Sequence, residues 1–319
     1  MQRSGIEAIQ FTSPRLHFVA SRLQNQRMTS NPQQHRRAIL TMVVAAFLWS
    51  IAGVFTRHLD SAKSFEVTFW RSLFCALAMM VWFAYTRGFG AIAYVRDSGK
   101  AGLVSGLMWA VMFTCFMIAL TMTSTANVLI VNALSPLFAT VLAWAVLKSS
   151  IAGRTWAAIA TAMIGMMIMF ADQARGGAGV WLGMVVALGV PVAAAINVVN
   201  IKKTGARLDL APAVLIGALL SCAFTLPLST PFAATGKDVL LLAILGIFQL
   251  AIPCVMMVRA SAHLSAPELA LLGLLEVLMG PLWSWLGAGE VPPGTTLLGG
   301  AIVLAALVAN EIVPKRRIA

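Results

Sequence analysis

Ten runs of mostly apolar residues, each about 18–25 residues long, divide the chain at short polar or Gly/Pro-rich segments. A helix of this length crosses the hydrocarbon core of a bilayer. Since backbone polar groups in lipid must be hydrogen-bonded internally, so many crossings predict helices rather than irregular chain. The predicted fold class is an all-α integral membrane protein with ten transmembrane helices. The predicted spans are 38–57, 64–85, 101–120, 124–147, 153–171, 178–201, 211–230, 238–259, 264–287 and 293–312.

The composition agrees with a chain that is solvated mainly by lipid. Hydrophobic residues make up 60% of the sequence and charged residues 11%. Soluble globular domains contain roughly 45–50% apolar and about 25% charged residues. There is too little polar material here to cover a water-facing surface, so a soluble globular protein is excluded.

Positive charge is concentrated in alternate loops. The formal net charge of +12 would suggest a nucleic-acid partner for a soluble domain. With the N-terminus inside, 18 Lys and Arg residues fall on the inner side and 4 on the outer side. Cytoplasmic loops carry such an excess. The distribution predicts a multi-pass protein of the plasma (inner) membrane, with both termini cytoplasmic, surrounded by lipid and binding no nucleic acid.

The sequence repeats itself at an offset of 141 residues, which places Ser124 on Ser265 and Trp144 on Trp285. This offset aligns span four with span nine. Because five is odd, the second half enters the membrane from the opposite side, and two inverted five-helix repeats are predicted. Many secondary transporters use this plan and bind substrate near the midplane. The expected domains are a disordered basic arm at 1–37, repeats at 38–171 and 178–312, and a basic cytoplasmic tail at 313–319.

Four segments carry a resemblance to a known family. They are FLWSIAGVFTRHL in span one, FEVTFWRSLF in span two, ANVLIVNALSPLFATVLAWAVL in span four and APELALLGLLEVLMGPLWSWLGAGE in span nine. In their order and spacing they resemble proteins with two EamA domains, in the drug/metabolite transporter superfamily. The resemblance implies a ten-helix carrier whose central cavity is lined by helices one, three and four of each half. It also implies transport of amino acids, other metabolites or drugs, often outward.

The chain departs from that family at two positions. Such proteins usually end helices four and nine with Glu, which is Glu290 in the second half but Ser149 in the first. The Glu-Pro pair of helix nine is here Glu276–Val277, whereas the first half has Ser135–Pro136. The exact shape of the second half-site is therefore left open.

Glu276 is the most informative single residue, because it lies near the middle of span nine. An ionised carboxylate there would cost on the order of 2.5–3.5 kcal/mol or more on an isolated helix. A low-dielectric site favours the protonated carboxyl, which suits a proton-binding or cation-binding role. Glu276 is predicted to line the substrate site and to act as the coupling residue. The alternative is a hydrogen-bonded carboxyl that holds helices together.

The other predicted substrate-binding residues are aromatic or polar side chains inside the spans. Aromatic walls would suit a flat or apolar solute, while core packing and helix-bridging hydrogen bonds are the structural alternatives. Arg71, about two turns inside span two, is expected to snorkel to the outer interface rather than to bind a substrate carboxylate. The predicted residues are Trp49, Trp109, Asn132, Ser135, Asn197 and Gln249.

Glycines and prolines predict the shapes of several helices. Gly273, Gly280 and Gly287 recur every seven residues in span nine and are expected to let a neighbouring helix approach closely. Prolines inside spans remove backbone hydrogen bonds, kink their helices and free carbonyl groups. These prolines are Pro136, Pro191, Pro253 and Pro281.

No catalytic motif is present in the sequence. There is no phosphate-binding Gly-rich loop followed by Lys and Ser/Thr. His58 and His263 fall in loops on opposite faces. The four cysteines lie in apolar stretches without metal-type spacing and are expected to be reduced. We therefore expect no enzyme, no catalytic residue, no cofactor and no metal site.

These features predict a secondary transporter that moves a small metabolite outward by alternating access. The expected substrate is an amino acid or a related small molecule, and a homodimer is compatible with the sequence. A non-transporting membrane receptor or scaffold is the alternative function. An intramembrane enzyme is disfavoured because the carboxylates are scattered along the chain.

Overall fold

The computed structural model describes residues 32–148, 151–173, 178–204, 210–261, 263–264 and 266–312. These residues form helices joined by short connections, and the described ranges contain no strand. A 3-10 turn follows α3 at Gly88–Gly90, and a π-helical segment joins α12 to α13 at Leu245–Ala251. The helices are α1 (Pro32–Ser50), α2 (Ala52–Arg57), α3 (Ser64–Arg87), α4 (Ala91–Arg96), α5 (Gly99–Met122), α6 (Thr125–Ala133), α7 (Ser135–Leu147), α8 (Gly153–Gln173), α9 (Ala178–Ala187), α10 (Gly189–Thr204), α11 (Leu210–Ser229), α12 (Gly236–Ile244), α13 (Ile252–Ser261), α14 (Ala266–Ala288) and α15 (Gly294–Ile312).

The described ranges contain nine helical stretches that are long and apolar enough to cross a bilayer. The apolar part of α15, Gly294–Asn310, is shorter. Together these stretches overlap all ten predicted spans. Large apolar side chains such as Val81, Leu240 and Leu286 are exposed, as expected for a surface that faces lipid. The chain is an all-helical, multi-pass membrane protein.

The first helix begins before the predicted start of span one. α1 starts at Pro32, a position where the missing N–H costs nothing because the first helical turn leaves its N–H groups unpaired. His35 lies in that turn; its Nδ1 is 3.2 Å from the carbonyl oxygen of His263 and its Nε2 is 3.2 Å from Glu268. The rest of the predicted arm and the predicted tail at 313–319 lie outside the described residues.

Helices from the two halves of the chain pack against each other. α1 contacts α14, and α7 contacts α10. α3 contacts α11, and α8 contacts α15. The last of these contacts is very close, because a Cβ atom on Gly165 of α8 would lie 2.6 Å from the carbonyl oxygen of Gly299 on α15. Only small residues allow two helix backbones to approach in this way.

Three of the four predicted proline positions coincide with interrupted helices. α6 ends at Ala133 and α7 begins at Ser135, next to Pro136. The junction of α9 and α10 precedes Pro191, and the π-helical segment precedes Pro253. α14 differs, because it runs without a break from Ala266 to Ala288 through Pro281. Pro281 therefore does not interrupt its helix, and the kink expected there stays a prediction.

The glycine positions of α14 face different surroundings. A Cβ atom on Gly280 would overlap the side chain of Leu129, and one on Gly287 would lie 2.6 Å from Cγ2 of Val54. Beside Gly273, in contrast, none of the described residues comes within 4 Å of such an atom. Close packing is thus confined to the C-terminal two-thirds of α14.

Candidate functional site

A cavity of about 220 Å³, open on one side, lies among the helices where the interrupted helices meet. It is smaller than the roughly 300–1,000 Å³ that is usual for drug-sized ligands, so it suits a small solute. The cavity is bounded by α1, α3, α5, α6, α10, the π-helical segment, α13 and α14. Its lining side chains that carry a polar or charged group are Trp49, Arg71, Trp109, Asn132, Gln249 and Glu276.

Arg71 of α3 is buried, with 2% of its surface exposed, and lines this cavity. Its Nε and Nη2 atoms donate to Oε1 of Gln249 over 3.0 and 2.7 Å. Its guanidinium carbon lies 5.9 Å from the ring centroids of both Phe113 and Phe116, within reach of a cation–π interaction. Among the described residues, Nη1 has no hydrogen-bond partner. The expectation that Arg71 snorkels is wrong, because its guanidinium points into the bundle toward Gln249.

Gln249 is positioned by the irregular part of its helix. It lies in the π-helical segment Leu245–Ala251, directly before α13. Pro253 has no N–H and cannot donate to the Gln249 carbonyl four residues earlier. The side-chain Nε2 of Gln249 donates to the carbonyl oxygen of Trp49 over 3.2 Å. The amide is therefore held between α1 and α3, and π-helical turns often occur at functional sites in this way.

Glu276 of α14 also lines the cavity and is half-buried. Within the described part of the chain, its carboxylate forms no hydrogen bond and no ion pair. The Arg71 guanidinium acts on it electrostatically, although the two groups are not within the 4.0 Å of an ion pair. A carboxylate at this depth without a protein partner is costly, and such residues usually serve a function. Its oxygens are available to a proton or to a cationic group of a solute.

Three further predicted residues line the same cavity. Trp49 lies in the last turn of α1, Trp109 on α5, and Asn132 beside the junction of α6 and α7. The indole N–H of Trp109 is buried and has no acceptor among the residues that the structure describes.

Two predicted residues lie outside the cavity lining. Ser135 donates from Oγ to the main-chain oxygen of Asn132 over 2.6 Å. That carbonyl lacks its helical partner because Pro136 has no N–H. Asn197 of α10 is buried elsewhere in the interior, and its Oδ1 has no partner in the described ranges. Ser135 thus supports the helix interruption that presents Asn132, rather than facing the cavity itself.

The aromatic wall on α5 was not predicted in full. Phe113 and Phe116 line the cavity together with Trp109 and Met112. These four residues follow the i, i+3, i+4, i+7 pattern of a single helix face. The helical period in span three, extended from Trp109, could have found them.

A separate polar cluster joins the ends of α2, α6 and α14. Arg57 donates from Nε to Glu290 over 2.9 Å and from Nη2 to the carbonyl oxygen of Thr123 over 2.6 Å. Thr125 donates to Glu290 from its backbone N over 2.6 Å and from Oγ1 over 3.0 Å. One carboxylate therefore connects the last turn of α2 to the first turn of α6.

Two buried carboxylates hold the loops at the same end of the bundle. Asp238, in the first turn of α12, accepts from the backbone N–H groups of residues 60–62 over 2.8 to 3.2 Å. Glu66, in the first turn of α3, accepts from Ala233 over 3.0 Å and from Ala234 over 2.8 Å. The loop after α2 and the loop after α11 are thereby fixed to their neighbours.

The described residues contain no group of three or more His, Cys, Asp or Glu side chains that is placed to hold a metal ion. Cys75, Cys115, Cys222 and Cys254 are free thiols. The expectation that no metal or cofactor is needed stays a prediction.

The fold defines a multi-pass helical membrane protein with a cavity among its helices. The chain belongs to the EamA-like transporter family, whose sequence profile matches residues 36–171 and 181–310. The family resemblance drawn from the sequence is confirmed. The protein is accordingly a member of a membrane transporter family and not of an enzyme family.

Similar proteins include the pseudopaline exporter CntI from two strains of Pseudomonas aeruginosa. Each is 24% identical over 278 residues, which cover 86% of this chain and 95% of the relative. A solved crystal structure of another protein resembles this fold with a TM-score of 0.62. That likeness covers 89% of this chain and 99% of the other, and at 17% identity it concerns the fold alone.

Proposed function

We propose that this protein is a secondary transporter that exports a small metabolite, an amino acid or a related solute, by alternating access. The observation that carries the proposal is the cavity, whose lining includes the buried Arg71 and the half-buried Glu276. These two side chains form no ion pair with each other. Intramembrane ionisable residues of this kind mark solute or ion pathways. Trp49, Trp109 and Asn132 supply further contacts in the same cavity.

The cavity lining supports the inverted repeat that the sequence predicts. Eight lining residues form four pairs whose members are 141 positions apart, the offset that aligns span four with span nine. Such pairing is expected if the cavity lies on a two-fold pseudo-axis, where equivalent residues from both halves meet. The pairs are Trp49 with Val190, Trp109 with Leu250, Phe113 with Cys254, and Phe116 with Met257.

Helix packing supports the same symmetry and the ten-helix count. In an inverted repeat, each helix has a counterpart in the other half, five spans away along the chain. When every helix is replaced by its counterpart, the contact of α1 with α14 becomes the contact of α10 with α7. The contact of α5 with α11 becomes that of the π-helical segment with α3. The contacts of α3 with α11 and of α8 with α15 are unchanged by the exchange. Inverted repeats give alternating access when one half rocks against the other.

Outward transport is supported by the relative that is a pseudopaline exporter. We place the protein in the plasma (inner) membrane with both termini cytoplasmic, as the distribution of Lys and Arg favours. In this orientation the Arg57–Glu290 cluster lies at the outer end. It would then hold the outer end closed while the cavity takes up solute from the cytoplasm.

Glu276 is proposed to couple transport to protons. Its carboxylate faces the cavity and has no partner among the described residues. The residue can therefore exchange a proton for solute without breaking a protein contact.

The proposal is tested by exchange in proteoliposomes that contain the purified full-length protein. A mixed amino-acid and metabolite pool is loaded, an imposed pH gradient is present or absent, and transported solutes are identified by mass spectrometry. Gradient-driven movement of a defined solute class in the wild type but not in Glu276→Gln is expected. Exchange in both that ignores the gradient would remove the coupling role. No movement of any solute by folded protein would contradict the transporter function.

A further inference from the structure

We propose that the cavity recognises zwitterions, in which a carboxylate binds Arg71 and a cationic amino group of the same small molecule binds Glu276. This inference rests on the proposed transport function and adds the charge pattern that the substrate must have. It is based on the hydrogen bonds that the two side chains form and on their polar atoms that have no partner among the described residues.

Arg71 has a positive charge that the described residues do not neutralise. Its only hydrogen-bond partner among them is the amide oxygen of Gln249, which takes two of the five N–H groups. A neutral amide orients the guanidinium but supplies no countercharge. Nη1 is buried without a partner while the residue lines the cavity. A buried cation in this state is unfavourable, and a carboxylate from the solute relieves both the charge and the missing hydrogen bond.

Gln249 makes Arg71 a fixed rather than a mobile anchor. The two bonds from Nε and Nη2 hold one edge of the guanidinium, and the Gln249 amide is itself bonded to the carbonyl of Trp49. The Nη1 edge is then the one that remains for the solute. Arg donors in such a fixed plane suit the planar geometry of a carboxylate.

Glu276 provides the opposite charge in the same cavity. It forms no ion pair with Arg71, so neither group cancels the other at contact distance. A solute with only a carboxylate, or only an amino group, would satisfy one side chain and leave the other uncompensated. A solute that carries both groups satisfies both side chains at once.

Most of the remaining wall is apolar, and its polar members are Asn132 and the indole groups of Trp49 and Trp109. Phe113 and Phe116 lie beside the guanidinium, and Met112, Leu250 and Met257 complete the apolar surface. A cavity of about 220 Å³ leaves room for a small skeleton only. Small amino acids with an uncharged side chain have this combination of charges, size and apolar surface.

The experiment uses matched sets of three solutes that differ only in charge. Each set contains an uncharged-side-chain amino acid, the amine formed by loss of its carboxyl, and the acid formed by loss of its amino group. Initial rates are measured in proteoliposomes for the wild type and for single variants. The wild type is expected to move the amino acid of at least one set about tenfold or more faster than its amine or acid.

The two neutralising variants should shift this preference in opposite directions. Arg71→Gln is expected to lose the advantage of the amino acid over the amine, and Glu276→Gln its advantage over the acid. Arg71→Lys keeps the charge but not the planar fork, so it should retain the order of preference with a higher KM. Ser105→Ala is the matched control, because Ser105 is a buried residue of α5 that does not line the cavity. Its rates should equal those of the wild type.

Opposite shifts cannot result from a general loss of folded protein, which would lower all rates together. Equal rates for the three solutes of every set in the wild type would overturn the zwitterion inference while the transporter function stands. The zwitterion inference is also overturned if Arg71→Gln and Glu276→Gln lower the transport rates of all three solutes in the same proportion while Arg71→Lys stays active with an unchanged KM. Transport of none of the sets by folded wild type would reject the zwitterion inference, and the mixed-pool assay would then decide the transporter function separately.

Discussion

At the scale of single residues, the structure depends on polar side chains that replace missing backbone partners inside the membrane. Glu66 is fully buried and receives the N–H groups of Ala233 and Ala234, which begin no helix of their own. Ser135 does the converse and donates to a carbonyl that Pro136 leaves unpaired. A buried backbone group left without a hydrogen-bond partner destabilises the fold, so these contacts are structural requirements.

Glu66→Gln should lower the stability of the protein by about 1.5–3 kcal/mol, because a charged acceptor of backbone N–H groups becomes a neutral amide. The measurement is the midpoint of thermal unfolding in detergent. Asp60→Asn is the control: Asp60 pairs with Lys237, and the two side chains are 52% and 53% exposed. An exposed pair contributes little, so that midpoint should hardly change. Equal midpoints for both variants would contradict the role given to Glu66.

Ser135→Ala should cost about 0.5–1.5 kcal/mol, the usual net value of one hydrogen bond. Ser105→Ala removes a buried hydroxyl that has no partner in the described ranges, so it should be neutral or slightly stabilising. Chemical or thermal unfolding of the two variants side by side measures the difference. If Ser105→Ala were the more damaging of the two, the assignment of Ser135 to the Asn132 carbonyl would be wrong.

At the scale of helices, two opposite devices shape the bundle. Interruptions beside Pro136, Pro191 and Pro253 bring cavity residues together, whereas glycines allow helices to touch along their length. Hydropathy located the spans, and the sequence shows which prolines fall inside them. Neither gives the rotation of a helix about its axis. For this reason only some of the predicted residues line the cavity: Trp49, Trp109, Asn132, Gln249 and Glu276 do so, while Ser135 and Asn197 do not.

Arg71 shows the same limit more clearly. Its depth in span two allows either a snorkelling or an inward orientation, and the outcome depends on Gln249, which is far away in the sequence. The lining of α5 depends only on the local helical period, so it was within reach of the sequence. Whether the lining residues bind substrate stays a prediction.

Gly165→Ala should destabilise the contact of α8 with α15 by about 1–3 kcal/mol, because the added Cβ atom meets the backbone of Gly299. Gly273→Ala places the same atom in open space on α14 and should be tolerated, with a gain of up to about 1 kcal/mol from helix propensity. Unfolding midpoints in detergent compare the two. A tolerated Gly165→Ala would mean that α8 and α15 separate more easily than their close contact indicates.

At the scale of the whole molecule, the cavity and the Arg57–Glu290 cluster lie at different positions along the same helix bundle. The cluster connects α2 and α6 to the residues that follow α14. α1, α6 and α14 also contribute Trp49, Asn132 and Glu276 to the cavity. Movement of these helices would therefore change the cavity and the cluster together.

Glu290→Gln should open the outer end more often, because Arg57 loses its ion pair there. A single reporter cysteine, Asn132→Cys, is introduced after the four native cysteines have been replaced. Its labelling by a membrane-impermeant thiol reagent from the outside should become several-fold faster with Glu290→Gln. Asp60→Asn removes a different ion pair at the same end and should leave the rate unchanged. An equal rate with and without Glu290→Gln would separate this cluster from gating.

The hydrogen bonds of Gln249 connect Arg71 in the cavity lining to the backbone near the end of α1. The amide oxygen is fully used by Arg71, and the amide nitrogen is attached to the backbone of Trp49. Trp49 is two residues before the short break that separates α1 from α2, and α2 ends in Arg57. If a solute binds the guanidinium as proposed, we expect its effect to pass through the Gln249 amide to the backbone beside this break. Binding in the cavity would then be linked, through one side chain, to the helix that carries Arg57 to Glu290.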